Sequence, residues 1–219
     1  MREASLTQKE NYMQTLLPTE SELLLQSRKH AEELGLDRIS ISPAEAQLLQ
    51  VLIQMHGAKK FVEVGTLTGL SAQYIFAALP VGGELWTLEK EVKHADKARD
   101  VFRQIDQSKK KIHLVEGDAR EKLEEIAVTG PFDGIFIDGN KAAYGDYLLW
   151  AEKNVRSGGL ILADNVFLSG SVWGDRSSGR FSDKQIKVMQ DFNKRLSDPQ
   201  LYQSAVVPSY EGLFVAVKK

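Results

Sequence analysis

Short apolar runs alternate with longer polar segments through the central part of the sequence. Five runs have the length and the apolar character of buried strands, and they cover residues 60–64, 84–88, 111–115, 132–137 and 159–163. The segments between successive runs are long enough for a helix and its turns. Alternation of this kind is typical of a parallel, doubly wound sheet, so the pattern predicts an α/β fold.

Helix signals precede the first run. Residues 21–34 predict a helix, and a second helix is predicted to begin at Pro43. Ser42 is a suitable N-cap for the second helix, and Glu45 follows at the spacing of a capping box. Gly57 is placed to end it.

The pattern changes after the fifth run. A Gly/Ser-rich loop over 168–181 leads to a predicted helix over 182–196. The chain then ends in two apolar runs separated by the turn sequence SYEG, which predict an antiparallel hairpin. We therefore divide the chain into a polar N-terminal arm and helix, 1–40, and one α/β domain, 41–219.

Charge and cysteine content exclude several classes of protein. Lys and Arg number 28 against 30 Asp and Glu, and this balance argues against a general nucleic-acid binder or a membrane-surface protein. The chain has no cysteine, which excludes disulfides, thiolate zinc sites and cysteine nucleophiles. The N-terminus lacks the apolar core of a signal peptide, and no apolar run approaches the roughly 18 residues of a membrane span. We therefore expect a cytoplasmic protein.

In an open parallel sheet, ligands bind beyond the carboxyl ends of the strands, so residues at these ends are candidate site residues. Glu63, Gly65 and Ser71 lie at or just after the end of the first run, where glycine allows a ligand to approach the backbone. Glu89 follows the second run, and its carboxylate is suited to accept both hydroxyls of a ribose. Glycines followed by an acid 24 residues beyond Gly65 are typical of a nucleoside cofactor site, although the dinucleotide motif G-x-G-x-x-G is missing.

The acids after the later runs have two interpretations. Asp118 follows the third run and, like Glu63, is equally well explained as a cap of the next helix. Asp138 follows the fourth run, and Asp164 and Asn165 follow the fifth. If these two strands are neighbours, about 4.8 Å apart, the two carboxylates face each other across a gap that a cation fills. An all-oxygen ligand set suits Mg²⁺, whereas the simpler alternative is two unrelated helix caps.

Taken in order along the chain, these motifs resemble one family. The motifs are FVEVGTLTGLSA, an acid after the second strand, GDA, FIDGNKAAYGDY, GGLILADNVFLSG and DFNKRLSDP. From about Ile41 to the final hairpin, they resemble the cation-dependent, S-adenosylmethionine-dependent O-methyltransferases typified by catechol and caffeoyl-CoA O-methyltransferases. The resemblance implies a Rossmann-like class I methyltransferase fold: a seven-stranded, mostly parallel sheet with a C-terminal antiparallel hairpin and helices on both faces. It also implies a homodimer formed partly through N-terminal helices.

The resemblance assigns the cofactor mainly to the first three strand ends. The turn after the first strand would hold the methionine part, the acid after the second strand the ribose hydroxyls, and the turn after the third strand the adenine. The implied S-adenosylmethionine-binding residues are Glu63, Gly65, Thr66, Leu67, Ser71, Glu89, Asp118, Ala119 and Asp138.

The resemblance assigns catalysis to the last two strand ends. Asp138, Asp164 and Asn165 match the family's metal ligands, with Mg²⁺ or Mn²⁺ as the implied cation. Lys141 matches the lysine beside the acceptor oxygen, so Lys141 and Asp138 are the implied catalytic residues. A lysine at this position, taken alone, is better explained as a solvated residue of the first helical turn. A cation chelated by two adjacent hydroxyls lowers the hydroxyl pKa and orients the ring, and Lys141 can take the proton if burial and the cation depress its own pKa.

The resulting hypothesis is methyl transfer to a hydroxyl of a small aromatic vicinal diol of the catechol or caffeoyl type. Loop 168–181 is expected to cover this acceptor, with Trp173 against its ring and Arg176 or Arg180 near an acidic tail. Simple exposure of these loop residues is an equally good interpretation. We expect the remaining polar aromatic residues to serve packing or to lie on the surface: Tyr144, Tyr147, His56, His94 and His113.

Two mild departures from the family pattern lie near the site. The family often has Asp-Ala-x-Lys, whereas here Gly139 and Asn140 separate Asp138 from Lys141. Glu89 is followed by Lys90 rather than by the commoner Asp. Neither change removes a predicted ligand.

Two alternative functions stay open at this point. The same kind of site methylates a hydroxylated base of tRNA in some relatives, and the basic run 109–111 is the compact patch that would favour this reading. That run is also well explained as a solvated turn. A nucleotide-binding or NAD-dependent protein without methyl transfer is the second alternative, and the missing dinucleotide motif weighs against it.

Overall fold

The computed structural model describes residues 8–175, 177–209 and 211–219. Its strands are β1 (Lys60–Val64), β2 (Glu84–Glu89), β3 (Lys111–Glu116), β4 (Phe132–Ile137), β5 (Val155–Ala163), β6 (Tyr202–Val207) and β7 (Leu213–Lys218). They form a seven-stranded sheet in the order β3-β2-β1-β4-β5-β7-β6. Strands β1 to β5 are parallel, whereas β7 runs antiparallel to both β5 and β6. The predicted α/β fold with a mostly parallel sheet and a C-terminal hairpin is confirmed.

The helices lie between and around these strands. They are α1 (Gln8–Thr15), α2 (Glu22–Glu33), α3 (Pro43–His56), α4 (Leu70–Ala78), α5 (Val92–Phe102), α6 (Ala119–Ile126), α7 (Tyr144–Asn154) and α8 (Asp183–Leu196). Helix α3 has the predicted capping box between Ser42 and Glu45, and Gly57 ends it with φ 72°. Within the described part of the chain, no helix combines the length and the apolar character needed to span a membrane.

Apolar side chains cover both faces of the sheet. Along β4, Ile135 and Ile137 belong to a core formed with α6, α7 and α8, whereas Phe136 belongs to a second core formed with α3, α4 and α5. Alternate side chains of a strand point to opposite faces, so both faces of β4 are buried. This two-sided burial explains the continuous apolar runs in the sequence and confirms the prediction of helices on both faces.

Strand β5 is longer than the predicted run 159–163. It begins at Val155, which pairs with Phe132 before the register shifts. Residues 156–158 are exposed and therefore give no apolar signal in the sequence. Beyond the shift, Ile137 pairs with Ala163, so the chain leaves β4 and β5 at the same level of the sheet.

The N-terminal arm is joined to the domain by buried residues. Helix α2 packs against α4 and α5. Its buried residues are Ser27 and Ala31, both with 0% exposure. The predicted boundary at residue 40 is therefore a division of the sequence only. Helix α2, on its N-terminal side, packs against helices α4 and α5 of the domain.

Candidate active site

A cavity of about 430 Å³ lies at the carboxyl ends of the parallel strands. The predicted site residues that line it are Gly65, Thr66, Leu67, Ser71, Glu89, Asp118, Ala119, Asp138, Lys141 and Asn165. Glu63 and Asp164 do not line it, since they are buried within its wall with exposures of 0% and 2%. The fold therefore gathers candidates from five separate strand ends around one cavity.

Gly65 brings the ends of β1 and β4 together. Its φ is 102°, and a Cβ at this position would lie 2.2 Å from the Asp138 carbonyl oxygen. The Asp138 N–H donates to the Val64 carbonyl at 2.9 Å. The sequence suggested that a ligand needs this glycine, but the close approach of the two backbones requires it independently.

Glu89 is held in place by backbone donors. The N–H of Leu67, which has φ 50°, donates to Glu89 Oε2 at 2.8 Å, and the N–H of Glu91 donates to Glu89 Oε1 at 2.8 Å. His94 Nδ1 lies 3.5 Å from Glu89 Oε1 and lines the same cavity. His94 was expected to be a structural or surface residue, and only the first turn of α5 brings it to the site.

Glu63 is a buried carboxyl group with one unpaired oxygen. Its Oε2 accepts a hydrogen bond from the Thr87 hydroxyl, whereas its Oε1 has no regular hydrogen bond within the described residues. Burial raises the pKa of Glu63 to about 8, the nearby carboxylates add to this rise, and the hydroxyls of Ser71 and Thr87 only partly offset it. A buried carboxyl oxygen without a regular hydrogen bond is a candidate acceptor for a donor that a ligand brings.

Asp118 caps the helix that follows it. Its carboxylate accepts from the Arg120 N–H at 3.0 Å and forms an ion pair with the Arg120 guanidinium, with 2.8 Å between Oδ2 and Nη2. Hydrogen bonds from Arg120 hold the pKa of Asp118 near 2. The capping interpretation is therefore correct for Asp118, and the same residue, with Ala119, also lines the cavity.

Lys141 is paired with Asp138. Its Nζ donates to Asp138 Oδ1 at 2.8 Å and to the Tyr144 hydroxyl at 2.7 Å. Burial by itself lowers the pKa of Lys141, but the adjacent Asp138 carboxylate and Tyr144 raise it above its ordinary value overall. In this arrangement Lys141 is an ammonium group, and the depressed pKa that a free base requires is not found.

Asp138 and Asp164 lie side by side, as the pairing of β4 with β5 predicts. Burial raises the pKa of Asp164, and the negative charges of Asp138 and Glu45 raise it further. Asn165 has φ 58°, and its backbone N–H donates to Asp164 Oδ1 at 2.7 Å. The negative charge of Asp138 therefore disfavours the ionised form of Asp164, and Asn165, the next residue, lines the cavity.

This set of oxygen donors fits a divalent cation. Hard oxygen ligands in small number are typical of Mg²⁺, and a cation relieves the repulsion between adjacent carboxylates. Among the described residues, no cluster of three or more His, Cys, Asp or Glu side chains is arranged to hold a metal. The fit therefore depends on the mixed set of Asp138, Asp164 and Asn165.

Tyr144 and Tyr147 pack as expected. Tyr144 is fully buried, its hydroxyl donates to the Asp164 carbonyl at 2.9 Å, and its ring meets Phe192 edge-on at 5.2 Å. Tyr147 is 3% exposed but also lines the cavity, a role that its helical spacing does not reveal.

A second cavity of about 740 Å³ shares lining residues with the first and is lined mainly by described residues of loop 168–181. Phe167 and Trp173 line it, and their rings meet edge-on at 5.3 Å. Arg38 and Arg180 line both cavities. Arg176, the other arginine predicted to face the acceptor, lies outside the described residues.

Residues 38–41 form a wall of the first cavity that the sequence did not predict. They precede the capping box of α3, where the matched motifs begin, and residues 38–40 were assigned to the arm. The wall forms by tertiary packing, so the sequence marks these residues only by their position directly before Ser42.

Comparison with known proteins identifies the family. The sequence model of the O-methyltransferase family matches residues 14–219. A catechol O-methyltransferase of Niastella koreensis is 34% identical over 219 residues, which covers 96% of each chain. A putative O-methyltransferase of Mycobacterium marinum is 26% identical over 91% of this chain and 86% of its own.

Solved structures agree with these matches. An O-methyltransferase of Bacillus cereus in complex with SAH has a TM-score of 0.86 and 28% identity, covering 97% of this chain and 98% of its own. The enzyme TomG of Streptomyces achromogenes, involved in tomaymycin synthesis and solved with SAM, has a TM-score of 0.85 and 25% identity over 98% and 100%. The protein is thus an enzyme that belongs to the O-methyltransferase family, as its resemblance to the S-adenosylmethionine-dependent O-methyltransferases predicted.

Proposed function

We propose that this protein transfers a methyl group from S-adenosylmethionine to a hydroxyl of a small aromatic vicinal diol, with the help of a divalent cation. One observation carries the proposal: Asp138 lies against the Gly65 turn and is also paired with Lys141 beside Asp164. A methyl donor held by that turn and an acceptor oxygen held by those side chains would therefore meet at Asp138. The catechol O-methyltransferase with 34% identity supports this acceptor class.

The cofactor would lie along the ends of β1, β2 and β3. Glu63, Gly65, Thr66, Leu67 and Ser71 would hold its methionine part, with the unpaired Glu63 Oε1 as acceptor for the cofactor ammonium. The similar structures that contain SAH and SAM support the cofactor assignment.

The nucleoside part of the cofactor would follow the next two strand ends. Glu89 would accept the ribose hydroxyls, since two backbone N–H groups hold its carboxylate at the cavity wall. Asp118 and Ala119 would contact the adenine at the start of α6. Asp138 would touch the cofactor from the opposite side, through its position against Gly65.

Asp138, Asp164 and Asn165 would hold Mg²⁺ or Mn²⁺. When bound, such a cation supplies Lewis acidity, which lowers the pKa of an acceptor hydroxyl and orients the diol. Asn165 would contribute a neutral oxygen at the cavity wall, so the two carboxylates, once both are ionised, would supply the charge that one divalent cation balances.

Lys141 would stabilise the acceptor oxygen electrostatically. Its Nζ carries a proton in the observed pairing, and an ammonium aimed at a developing oxyanion favours the transition state. A role as general base requires first that the influence of Asp138 on this ammonium be weakened.

The second cavity would bind the aromatic acceptor. Phe167 and Trp173 offer ring surfaces, and Arg180 lies on the boundary with the cofactor cavity. Aromatic side chains in a concave site suit a planar ring, while an arginine at the boundary suits an acidic tail.

The alternatives receive less support. Lys110, in the basic run that would favour tRNA, donates to the Phe76 carbonyl at 2.6 Å and the Leu79 carbonyl at 3.1 Å. It lies just before β3, at the opposite end of the sheet from the cavity. Family membership argues against a nucleotide-binding protein without methyl transfer.

A methyl-transfer assay with labelled S-adenosylmethionine tests the proposal. We expect catechols and hydroxycinnamoyl esters to be methylated with Mg²⁺ or Mn²⁺, and the product to disappear with EDTA and return with added metal. Full activity after exhaustive chelation would overturn the cation role. Methylation of tRNA without methylation of any diol would overturn the acceptor class.

We further propose a homodimer. Tyr12, Leu16 and Met55 are large side chains with exposures of 66%, 65% and 81% on or beside α1 and α3, and the resemblance implies a dimer formed partly through N-terminal helices. Light scattering should give twice the chain mass, and Met55→Lys should shift the protein towards the monomer. A wild-type mass of one chain at micromolar concentration would contradict this assignment.

A further inference from the structure

Two reciprocal hydrogen bonds fasten helix α2 to the turn between β1 and α4. The Ser27 hydroxyl donates to the Thr68 carbonyl at 2.9 Å, and the Thr68 hydroxyl donates to the Ser27 carbonyl at 2.9 Å. Both residues are fully buried, and the Gln73 amide donates to Ser27 Oγ at 2.8 Å. Apolar packing does not explain a fully buried serine on α2, so its hydrogen bonds are the reason for its position.

The turn that these bonds hold has an unfavourable backbone. Leu67 has φ 50°, which opposes the preference of a residue with a Cβ atom. The residues of the turn are fixed from different sides: Thr66 Oγ1 lies 2.5 Å from Thr87 Oγ1, and the Leu67 N–H donates to Glu89. Thr68 is the residue of the turn that α2 fixes.

The start of α4 takes its position from the same turn. Its N-cap, Gly69, has φ 83° and no capping side chain. Leu70 and Ser71 follow and line the first cavity. The direction of the free N–H groups in the first helical turn of α4 therefore depends on the loop turn that precedes it. If that loop turn shifts, no capping side chain holds the start of α4 in place.

We infer that Ser27 and Thr68 form a positioning pair that sets the affinity for the cofactor, so that α2 belongs functionally to the cofactor site. The inference rests on the proposed binding of S-adenosylmethionine in the first cavity. The same helix also supports a second wall of that cavity, since Arg28 Nη1 donates to the Ile41 carbonyl at 3.4 Å. Arg28 is itself paired with Glu20, with 2.6 Å between Nε and Oε2.

A matched pair of substitutions on α2 tests the inference. Ser27→Ala removes the hydroxyl that donates to the Thr68 carbonyl and accepts from the Gln73 amide, while the bond from the Thr68 hydroxyl to the Ser27 carbonyl remains. Ser21→Ala removes the N-cap of the same helix, whose Oγ accepts from the Leu24 N–H at 3.4 Å. Calorimetry with SAH and the full chain measures the affinity and requires neither acceptor nor metal. We expect Ser27→Ala to weaken binding about 5- to 10-fold, the usual effect of losing a buried hydrogen bond, and Ser21→Ala to leave it within about twofold.

Equal weakening by both alanine substitutions would reduce α2 to a general stability element and overturn the inference. Unchanged binding in Ser27→Ala would overturn it as well. A wild-type chain that does not bind SAH would instead contradict the proposed cofactor site, so the two failures are distinguishable.

Substitutions at Thr68 give an independent measurement on the other partner. Thr68→Val keeps the shape but loses the hydroxyl, and we expect about the same weakening as in Ser27→Ala. Thr68→Ser restores the hydroxyl and should bind SAH within about twofold of wild type, which a purely packing role would not produce. The catalytic rate at saturating cofactor should change little in Thr68→Val, and equal affinities of the Val and Ser variants would overturn the inference.

Discussion

The two halves of the site hold their charged groups by different means. In the cofactor half, formed by the ends of β1, β2 and β3, Glu89 and Glu63 are fixed largely by neutral backbone N–H groups and hydroxyls. In the acceptor half, formed by the ends of β4 and β5, Asp138 is held by the charged Lys141 next to Asp164. Neutral donors keep their positions whether or not a ligand is bound, whereas an internal ion pair competes with any cation that arrives. We therefore expect a preformed cofactor half and an acceptor half that rearranges.

The largest expected effect is confined to the acceptor half. Asp164→Asn removes one carboxylate, so metal-dependent turnover should fall by about 10²- to 10³-fold. Affinity for SAH should stay within about threefold, because the cofactor half does not use Asp164. Initial rates with varied Mg²⁺ and calorimetry with SAH measure the two quantities.

The control for this substitution lies at the other end of β4. Asp133 accepts from the N–H groups of Lys59 and Lys60 at 2.7 and 2.8 Å, so Asp133→Asn should lower the thermal midpoint. Its turnover at a temperature where the protein is folded should equal that of wild type. Loss of SAH binding in Asp164→Asn would show that the two halves are not separable.

The second effect is confined to the cofactor half. Glu63→Gln replaces the proposed partner of the cofactor ammonium by a neutral amide, and affinity for SAH should fall about 10- to 100-fold. Turnover at saturating cofactor should fall much less than in Asp164→Asn. Glu152→Gln, on α7 and paired with Arg195, is a matched control that should leave SAH affinity unchanged.

The ionisation of Glu63 should also determine how cofactor affinity depends on pH. Its pKa is raised to about 8, so below that pH the carboxyl is protonated and must lose its proton to pair with an ammonium. Affinity should therefore rise by up to about tenfold per pH unit until pH 8 and then level off. Calorimetry at pH 7 in buffers of different ionisation enthalpy should detect a released proton in wild type and none in Glu63→Gln. A flat profile in wild type would contradict the assignment of Glu63.

The smallest expected effect lies on the boundary between the halves. A Cβ at Gly139 would lie 2.9 Å from Val64 Cγ1, so Gly139→Ala, the residue common in the family, should cost about 1–2 kcal/mol of unfolding free energy. Val64→Ala in the same chain should restore part of this loss. Urea denaturation measures both variants, and an unchanged midpoint in Gly139→Ala would indicate that the boundary is loosely packed.

Much of the site could be predicted because it follows from chain order. Strand ends in a parallel sheet meet at one edge, so the sequence places Asp138 and Asp164 together provided that their strands are neighbours, a condition that the pairing of β4 with β5 meets. The capping box of Ser42 and Glu45 is likewise local and was correct. Features of this kind need only spacing and residue type.

The rest depends on distances that sequence spacing does not determine. His94 approaches Glu89 through the orientation of α5, and residues 38–41 reach the cavity through the packing of the arm. The ammonium state of Lys141 is the net result of burial and a carboxylate 2.8 Å away, two effects of opposite sign. Which of two opposing effects on a pKa is larger can be decided only when the burial of the group and its distance to neighbouring charges are known.

The unpaired oxygen of Glu63 has a consequence for the lifetime of the protein. An ordinary carboxyl of this type ionises near pH 4.5, whereas Glu63 holds its proton until about pH 8, so the unfolded chain gives up the proton first. The stability of the empty protein should therefore fall as pH rises through this window, by the sign of the proton difference. A bound ammonium reverses the loss, and proteases act on the unfolded fraction. We expect the abundance of this enzyme in a cell to follow the supply of its methyl donor.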